Sequence, residues 1–240
     1  MNVYQYIHNF HLYLADSALD RELAALKVMT GGISSVKTGK LLNCAVPFME
    51  KNEVYLEIGT FTGFSLASAA MYNGQFPCIG VDNFSFTGFD QCKLDETAEG
   101  PVDNKPIARA KVKLATQIIN QDNIAFIEKD YKQVGLTPGT KIGVFYIDGY
   151  HTKAEVLENF KWAEDKLADN ALIFIDDISI GGVGEGVYEW VHAHRPNYHE
   201  FFHMDSIGMP NVSRSIEMPM FWNGLSIVWY VKDANAQPLQ

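Results

Sequence analysis

The sequence predicts an α/β fold: a doubly wound, mostly parallel sheet of seven strands, with an antiparallel last strand and an N-terminal helical lid. Three observations predict it. From Val54 onward, short apolar runs of strand character alternate with segments of helical periodicity, and such alternation builds parallel βαβ units with right-handed crossovers. Runs such as Ala171-Leu-Ile-Phe-Ile are continuously apolar, as strands covered on both faces are. Two further strand-like runs follow the last helical segment, which suits closure of the sheet by an antiparallel pair.

The elements follow in order. Val3, Ile7, Phe10 and Leu14 recur at helical spacing. Ser17-x-x-Asp20 resembles a capping start for a second helix carrying Leu19, Leu23 and Leu26, and Gly31-Gly32 stops it. A third helix is expected from Thr38 to Glu50, kinked or shortened by Pro47. Residues 1–50 thus form the lid, and residues 51–240 the sheet region of what is one structural domain. Strands are expected at 54–58, 78–82, 124–128, 142–147 and 171–176, with helices at 63–73, 105–121, 152–167 and near 183–194. The closing strands are Tyr198–Met204 and Leu225–Val231, joined by a connection, 205–224, without helical periodicity. The polar run Lys93–Lys105, with Gly100-Pro101, reads as an exposed loop.

Composition narrows the function. A net charge of -10 disfavours nucleic acid and anionic membrane surfaces as partners, because both need a basic face. No apolar run has the length of a membrane span, and the first residues lack the basic start and apolar core of a signal peptide. Cys44, Cys78 and Cys92 are odd in number and unclustered, which fits neither a disulfide framework nor a zinc site. The expectation is a cytoplasmic protein in which Cys78 is a small core residue.

Chemistry concentrates at the carboxyl ends of the expected strands, where open α/β sheets bind ligands. Val54-Tyr-Leu-Glu-Ile-Gly-Thr-Phe-Thr-Gly-Phe-Ser-Leu66 is a strand, a turn with Gly59 and Gly63, and a helix start. Acids stand at or just past each parallel strand end: Glu57, Asp82, Asp130, Asp148, and Asp176 with Asp177. Asp82 follows the glycine turn at the distance of an acid that accepts from two ribose hydroxyls, or else caps the next segment. Asp130 is placed beside the same ligand, to accept from the amino group of a base, or caps a turn. Glu57 either meets a ligand cation through water, holds the turn's amides, or is structural. Asp148, Asp176 and Asp177 come from the ends of neighbouring strands about 5 Å apart. As hard oxygen ligands they suit Mg²⁺; the alternative is a helix cap at Asp177 and a buried turn residue at Asp148. His151, three residues past Asp148, has the ordinary pKa of a base usable near neutrality. His192, His194, His199 and His203 read as surface or packing residues, and Phe221, Trp222 and Trp229 as core or pocket wall.

Glu57-Ile-Gly-Thr-Phe-Thr-Gly, Asp82, Asp148-Gly-Tyr-His-Thr and Asp176-Asp177 together resemble the class I S-adenosylmethionine-dependent methyltransferases over residues 34–232. The nearest branch is the methyltransferase-24 group, close to the macrocin-type and catechol-type O-methyltransferases. The resemblance implies a Rossmann-like sheet that binds S-adenosylmethionine at Glu57, Gly59, Thr60, Gly63, Asp82 and Asp130. It also implies a divalent cation, Mg²⁺ or another, at Asp148, Asp176 and Asp177. The acceptor implied is a hydroxyl of a small molecule: a sugar, a phenol or a natural product. The chain departs from the pattern in carrying His151 where catechol-type enzymes carry a catalytic lysine. It also has Asp177 where asparagine is frequent, and Tyr150 where macrocin-type relatives often have an acid. Two rival readings are a nicotinamide-dependent oxidoreductase, disfavoured by a Gly-x-x-x-Gly turn preceded by Glu57, and a non-catalytic cofactor-binding protein. The apolar N-terminal helices offer a surface for a homodimer.

Overall fold

Seven strands, β1 (Glu53–Ile58), β2 (Cys78–Asp82), β3 (Ile124–Glu128), β4 (Lys141–Ile147), β5 (Leu167–Asp176), β6 (Tyr198–Met204) and β7 (Leu225–Val231), form one sheet. Their order is β3-β2-β1-β4-β5-β7-β6. β1 to β5 are parallel, and β7 runs antiparallel between β5 and β6. The computed structural model describes residues 1–85, 103–119, 122–206, 221 and 223–232. Cys92, Trp222, most of the 93–105 run and most of the 205–224 connection lie outside the described residues.

The helices are α1 (Val3–Ala15), α2 (Asp20–Thr30), α3 (Val36–Ala45), α4 (Phe64–Ala70), α5 (Asn104–Ile119), α6 (Lys153–Ala163) and α7 (Val183–Ala193). None of the described helices is long and apolar enough to cross a membrane. The two-residue period of the central strands divides the core between the faces of the sheet. Leu56, Ile58, Phe145, Ile147, Ile173 and Ile175 pack with Phe160 of α6 and Trp190 of α7. Tyr55, Val144, Tyr146, Leu172 and Phe174 pack on the other side with Tyr6 of α1, Leu42 of α3 and Leu66 of α4. The N-terminal helices are therefore part of the core as well as neighbours of the site. The same period puts Glu57, Asp148 and Asp176 on their side of the sheet.

The winding reverses at β1. Crossovers lead from β1 to β2 and β3 on one flank, and the chain then returns to lay β4 on the other flank. Such a reversal opens a crevice at the carboxyl ends of the two central strands, and here those strands are β1 and β4.

Among the boundaries that differ from the sequence expectation, three have a local reason. The third helix ends at Ala45 and passes into a 3-10 turn over Val46–Phe48 with Pro47 at its start, because proline has no N–H to continue an α-helical ladder. β5 begins at Leu167 rather than 171, a strand start that the polar Asp169-Asn170 pair hides in the apolar pattern. Ser17 does not cap α2: the residue before that helix is Leu19, with no side-chain cap. The turn is closed instead by Asp16 Oδ1, which accepts from the Ala18 amide at 2.9 Å.

A cofactor cleft and a carboxylate–imidazole cluster

The glycine turn after β1 is shaped by what touches it. Gly59 has φ +91, and a Cβ there would lie 1.9 Å from the Asp148 carbonyl oxygen. The Asp148 amide donates to the Ile58 carbonyl, and the Gly59 amide to the Val81 carbonyl, each at 2.9 Å. The tips of β1, β2 and β4 are thus stitched together with no room for a side chain at the seam. Gly63, with φ +87, opens α4, and a Cβ there would crowd Val112 and Ala115 of α5.

Phe61 and Phe84 hold left-handed backbones, φ 49 and 51, a strain that clusters at binding sites. Both conformations serve Asp82. The Phe61 amide donates to its Oδ2 at 2.8 Å and the Phe84 amide to its Oδ1 at 2.7 Å. Burial pushes the Asp82 carboxyl up, and the two amides oppose that shift. The Asn83 amide also acts on this carboxylate, which leaves acceptor capacity for one further donor.

Beneath the turn, Glu57 is fully buried and accepts from the Tyr55 hydroxyl at 2.6 Å. Burial pushes its pKa up to about 7 despite that bond. Its Oε1 and the hydroxyl oxygens of Thr60 and Thr62 are buried without a well-aligned hydrogen bond. The Ser65 and Thr60 hydroxyls nevertheless stand near enough to oppose the rise in the Glu57 pKa. Unmet polar atoms cost about 1–3 kcal/mol each. Orphaned acceptors and hydroxyls beside bare glycine backbone fit the charged amino-acid end of a cofactor.

One solvent-open cleft runs past Gly59, Thr60, Asp82, Asp130, Asp148 and His151. Asp130 borders it while its Oδ1 accepts from the Lys132 amide at 2.9 Å, capping the turn Tyr131–Gln133.

At the far end of the cleft, Asp148, His151 and Asp177 each offer a ligand atom, all within 4.8 Å of one another. His151 Nε2 lies 2.7 Å from Asp177 Oδ2. Backbone strain again sets the aim. Asp177 has φ 57, and Gly181, with φ +61, packs so that a Cβ would lie 1.5 Å from the His151 carbonyl oxygen. Asp176 lies beside this group and lines a smaller pocket with Asp148 and Asp177. Its Oδ2 accepts from the Tyr146 hydroxyl at 2.5 Å and its Oδ1 from the Asp177 amide at 3.0 Å.

Tyr146 has one proton and two carboxylate oxygens in reach, Asp176 Oδ2 at 2.5 Å and Asp148 Oδ2 at 3.2 Å. Asp148 Oδ2 is served by the Ser34 hydroxyl at 3.3 Å. Asp148 borders the cleft but is otherwise enclosed. Burial first, then the charges of Asp176, Asp177 and Glu57, push its carboxyl well above the usual range. Asp176 is raised by burial and by Asp177. Burial works against a charge on His151, yet the hydrogen bond and charge of Asp177, with Asp176, raise its pKa. Repelling carboxylates with oxygen ligands to spare fit a hard divalent cation.

Sequence reasoning missed Tyr146 as a polar group, because its position in β4 reads as core. Ser34 and Lys27 carry no local signal at all. The remaining histidines keep packing and surface roles: His194 stacks on Trp190 at 3.8 Å between ring centroids, and His203 pairs with Glu200. Cys78 is fully buried, and burial pushes its thiol far up.

A family profile described as "Methyltransferase domain" matches residues 56–178, more than half of the 240 residues. The chain belongs to this family, among the class I S-adenosylmethionine-dependent methyltransferases. This overturns the nicotinamide reading. No curated protein matches the sequence. Solved structures share the fold. The O-methyltransferase TomG from Streptomyces achromogenes, involved in tomaymycin synthesis and solved with S-adenosylmethionine, is 14% identical with a TM-score of 0.58, over 90% of this chain and 91% of that one. The O-methyltransferase from Bacillus cereus, solved with S-adenosylhomocysteine, is 16% identical with a TM-score of 0.53, over 90% and 91%. The Podospora anserina methyltransferase PaMTH1, also bound to S-adenosylhomocysteine, is 14% identical with a TM-score of 0.55, over 96% and 97%.

Replacing Asp82 with alanine removes the acceptor for two amides and tests the expectation that it also holds a ribose diol. Calorimetric titration with S-adenosylhomocysteine is expected to give at least about a tenfold weaker Kd, one lost charged hydrogen bond being about 1.5–3 kcal/mol. Unchanged affinity would move the ribose elsewhere.

Proposed function

We propose that this protein is an O-methyltransferase: it moves the methyl group of S-adenosylmethionine to a hydroxyl of a small molecule, with a divalent cation, Mg²⁺ or a similar ion, at Asp148 and Asp177. One observation carries this reading. Gly59 of the glycine turn abuts the Asp148 carbonyl, so the donor's cradle and the carboxylate–imidazole cluster share a wall.

S-adenosylmethionine supplies an electrophilic methyl group, and the cation supplies a lowered pKa for a bound hydroxyl. The protein does the rest. Glu57, Thr60 and the Gly59–Gly63 backbone hold the amino-acid end of the donor. Asp82 holds the ribose, and Asp130 borders the place for the adenine. His151, oriented by the hydrogen bond that its Nε2 donates to Asp177, accepts the hydroxyl proton at Nδ1. Alignment of acceptor and methyl supplies much of the acceleration. O-methyltransferases among the proteins of the same fold support an oxygen acceptor.

The test is methyl transfer by the purified protein to a panel of catechols, sugars and polyketide hydroxyls, with Mg²⁺ and with EDTA. Loss of transfer in EDTA, restored by Mg²⁺ or Mn²⁺, is expected. Full activity in EDTA would favour a second reading, for which the 2.7 Å His151–Asp177 contact speaks: a metal-free base dyad.

A further inference from the structure

Lys27 of α2 is buried, 5% exposed, where lysines are almost never found unless paired. Its Nζ donates to the Ser34 carbonyl oxygen and lies 5.3 Å from the centroid of the Phe64 ring. Burial pushes its pKa down to about 8, with Asp176 opposing the shift.

Ser34 belongs to the short segment between α2 and α3, which is fixed along its length. Gly32, with φ +99, sits so close to the glycine turn that a Cβ would lie 2.9 Å from Thr62 Oγ1. Ser35 caps α3 by accepting from the Thr38 amide at 3.0 Å. Between these anchors the Ser34 hydroxyl donates to Asp148 Oδ2 at 3.3 Å and lies 3.2 Å from the Tyr146 hydroxyl. Ser34 is thus gripped through its backbone by Lys27 and grips Asp148 with its side chain.

We propose that Ser34 is a positioning residue that aims the Asp148 carboxylate at the divalent cation, and that Lys27 holds Ser34 in place for it. The N-terminal helices then do more than cover the acceptor: their connection completes the metal site. This inference rests on the metal reading above. Groups that orient a metal ligand typically carry about 10–100-fold in metal affinity.

The test is Mn²⁺ binding to the full chain by calorimetry, without donor or acceptor, below the melting temperature of every variant. Ser34→Ala is expected to weaken Mn²⁺ binding by about 10–100-fold, and Ser34→Thr, which keeps the hydroxyl, to restore most of it. Lys27→Met also removes a positive charge that repels the ion, so its own effect mixes two causes. A double-mutant cycle subtracts the charge. On the Lys27→Met background, Ser34→Ala is expected to change Kd by about twofold or less.

If wild type binds Mn²⁺ and Ser34→Ala binds it equally well, the positioning role is wrong and the metal reading stands. Equal losses from Ser34→Ala on both backgrounds would overturn the part given to Lys27. A wild-type protein that binds no Mn²⁺ would remove both the inference and the metal reading. If Lys27→Met does not fold, Ser34→Ala and Ser34→Thr decide the role of the hydroxyl, and Lys27→Gln takes the place of Lys27→Met in the cycle.

Discussion

His151→Ala is expected to slow methyl transfer by about a hundred- to ten-thousand-fold, the usual contribution of a general base, with the fold and donor affinity retained. The reason lies in the geometry. The imidazole stands at the mouth of α6, 2.7 Å from Asp177, in the only described group of side chains suited to a metal ion. The pH dependence has a definite sign. A base works in its neutral form, and Asp177 raises the His151 pKa against burial. The wild-type rate should therefore climb with pH as the imidazole gives up its proton, at a value that a cation bound beside Asp177 lowers. In His151→Ala that limb should vanish, and the deficit should shrink at high pH as hydroxide replaces the base. A variant with near wild-type kcat would remove His151 from the chemistry.

The second large effect is structural and reaches both halves of the site. In Gly59→Ala the new methyl would sit 1.9 Å from the Asp148 carbonyl oxygen, on a φ of +91. Strained φ and overpacking each cost about 1–3 kcal/mol, and the obstacle is backbone rather than a flexible side chain. A loss of about 2–6 kcal/mol in unfolding free energy is expected from denaturant titration. Protein that still folds should bind S-adenosylhomocysteine poorly, because the tips of β1 and β4 must part. Gly135→Ala is the control: a Cβ there meets nothing within 4 Å, and its stability should be nearly unchanged.

Much of this was legible in the chain itself, because strands buried on both faces announce themselves as apolar runs. All seven strands were placed, and the acids at their ends follow from where they stop. The glycine turn was readable for the same reason: it joins a strand directly to a helix start. What escaped depends on contacts between distant positions. Cross-strand register sets Tyr146 beside Phe174 and so brings a phenol to Asp176. No local pattern gives that pairing. Ser34 meets Asp148 across 114 positions of sequence, through a segment that reads only as a helix stop. Lys27 looks like a solvated lysine on an amphipathic helix until tertiary packing buries it. Asp130 shows the ambiguity of a single acid, since it caps a turn and borders the cleft at once.

The most direct test is a crystal structure with S-adenosylhomocysteine and Mn²⁺, the ion located by its anomalous scattering. The nucleoside is predicted along the cleft with its ribose at Asp82, and the ion within about 2.0–2.6 Å of oxygens of Asp148 and Asp177. A ligand bound outside the cleft, or an anomalous peak remote from both carboxylates, would contradict it.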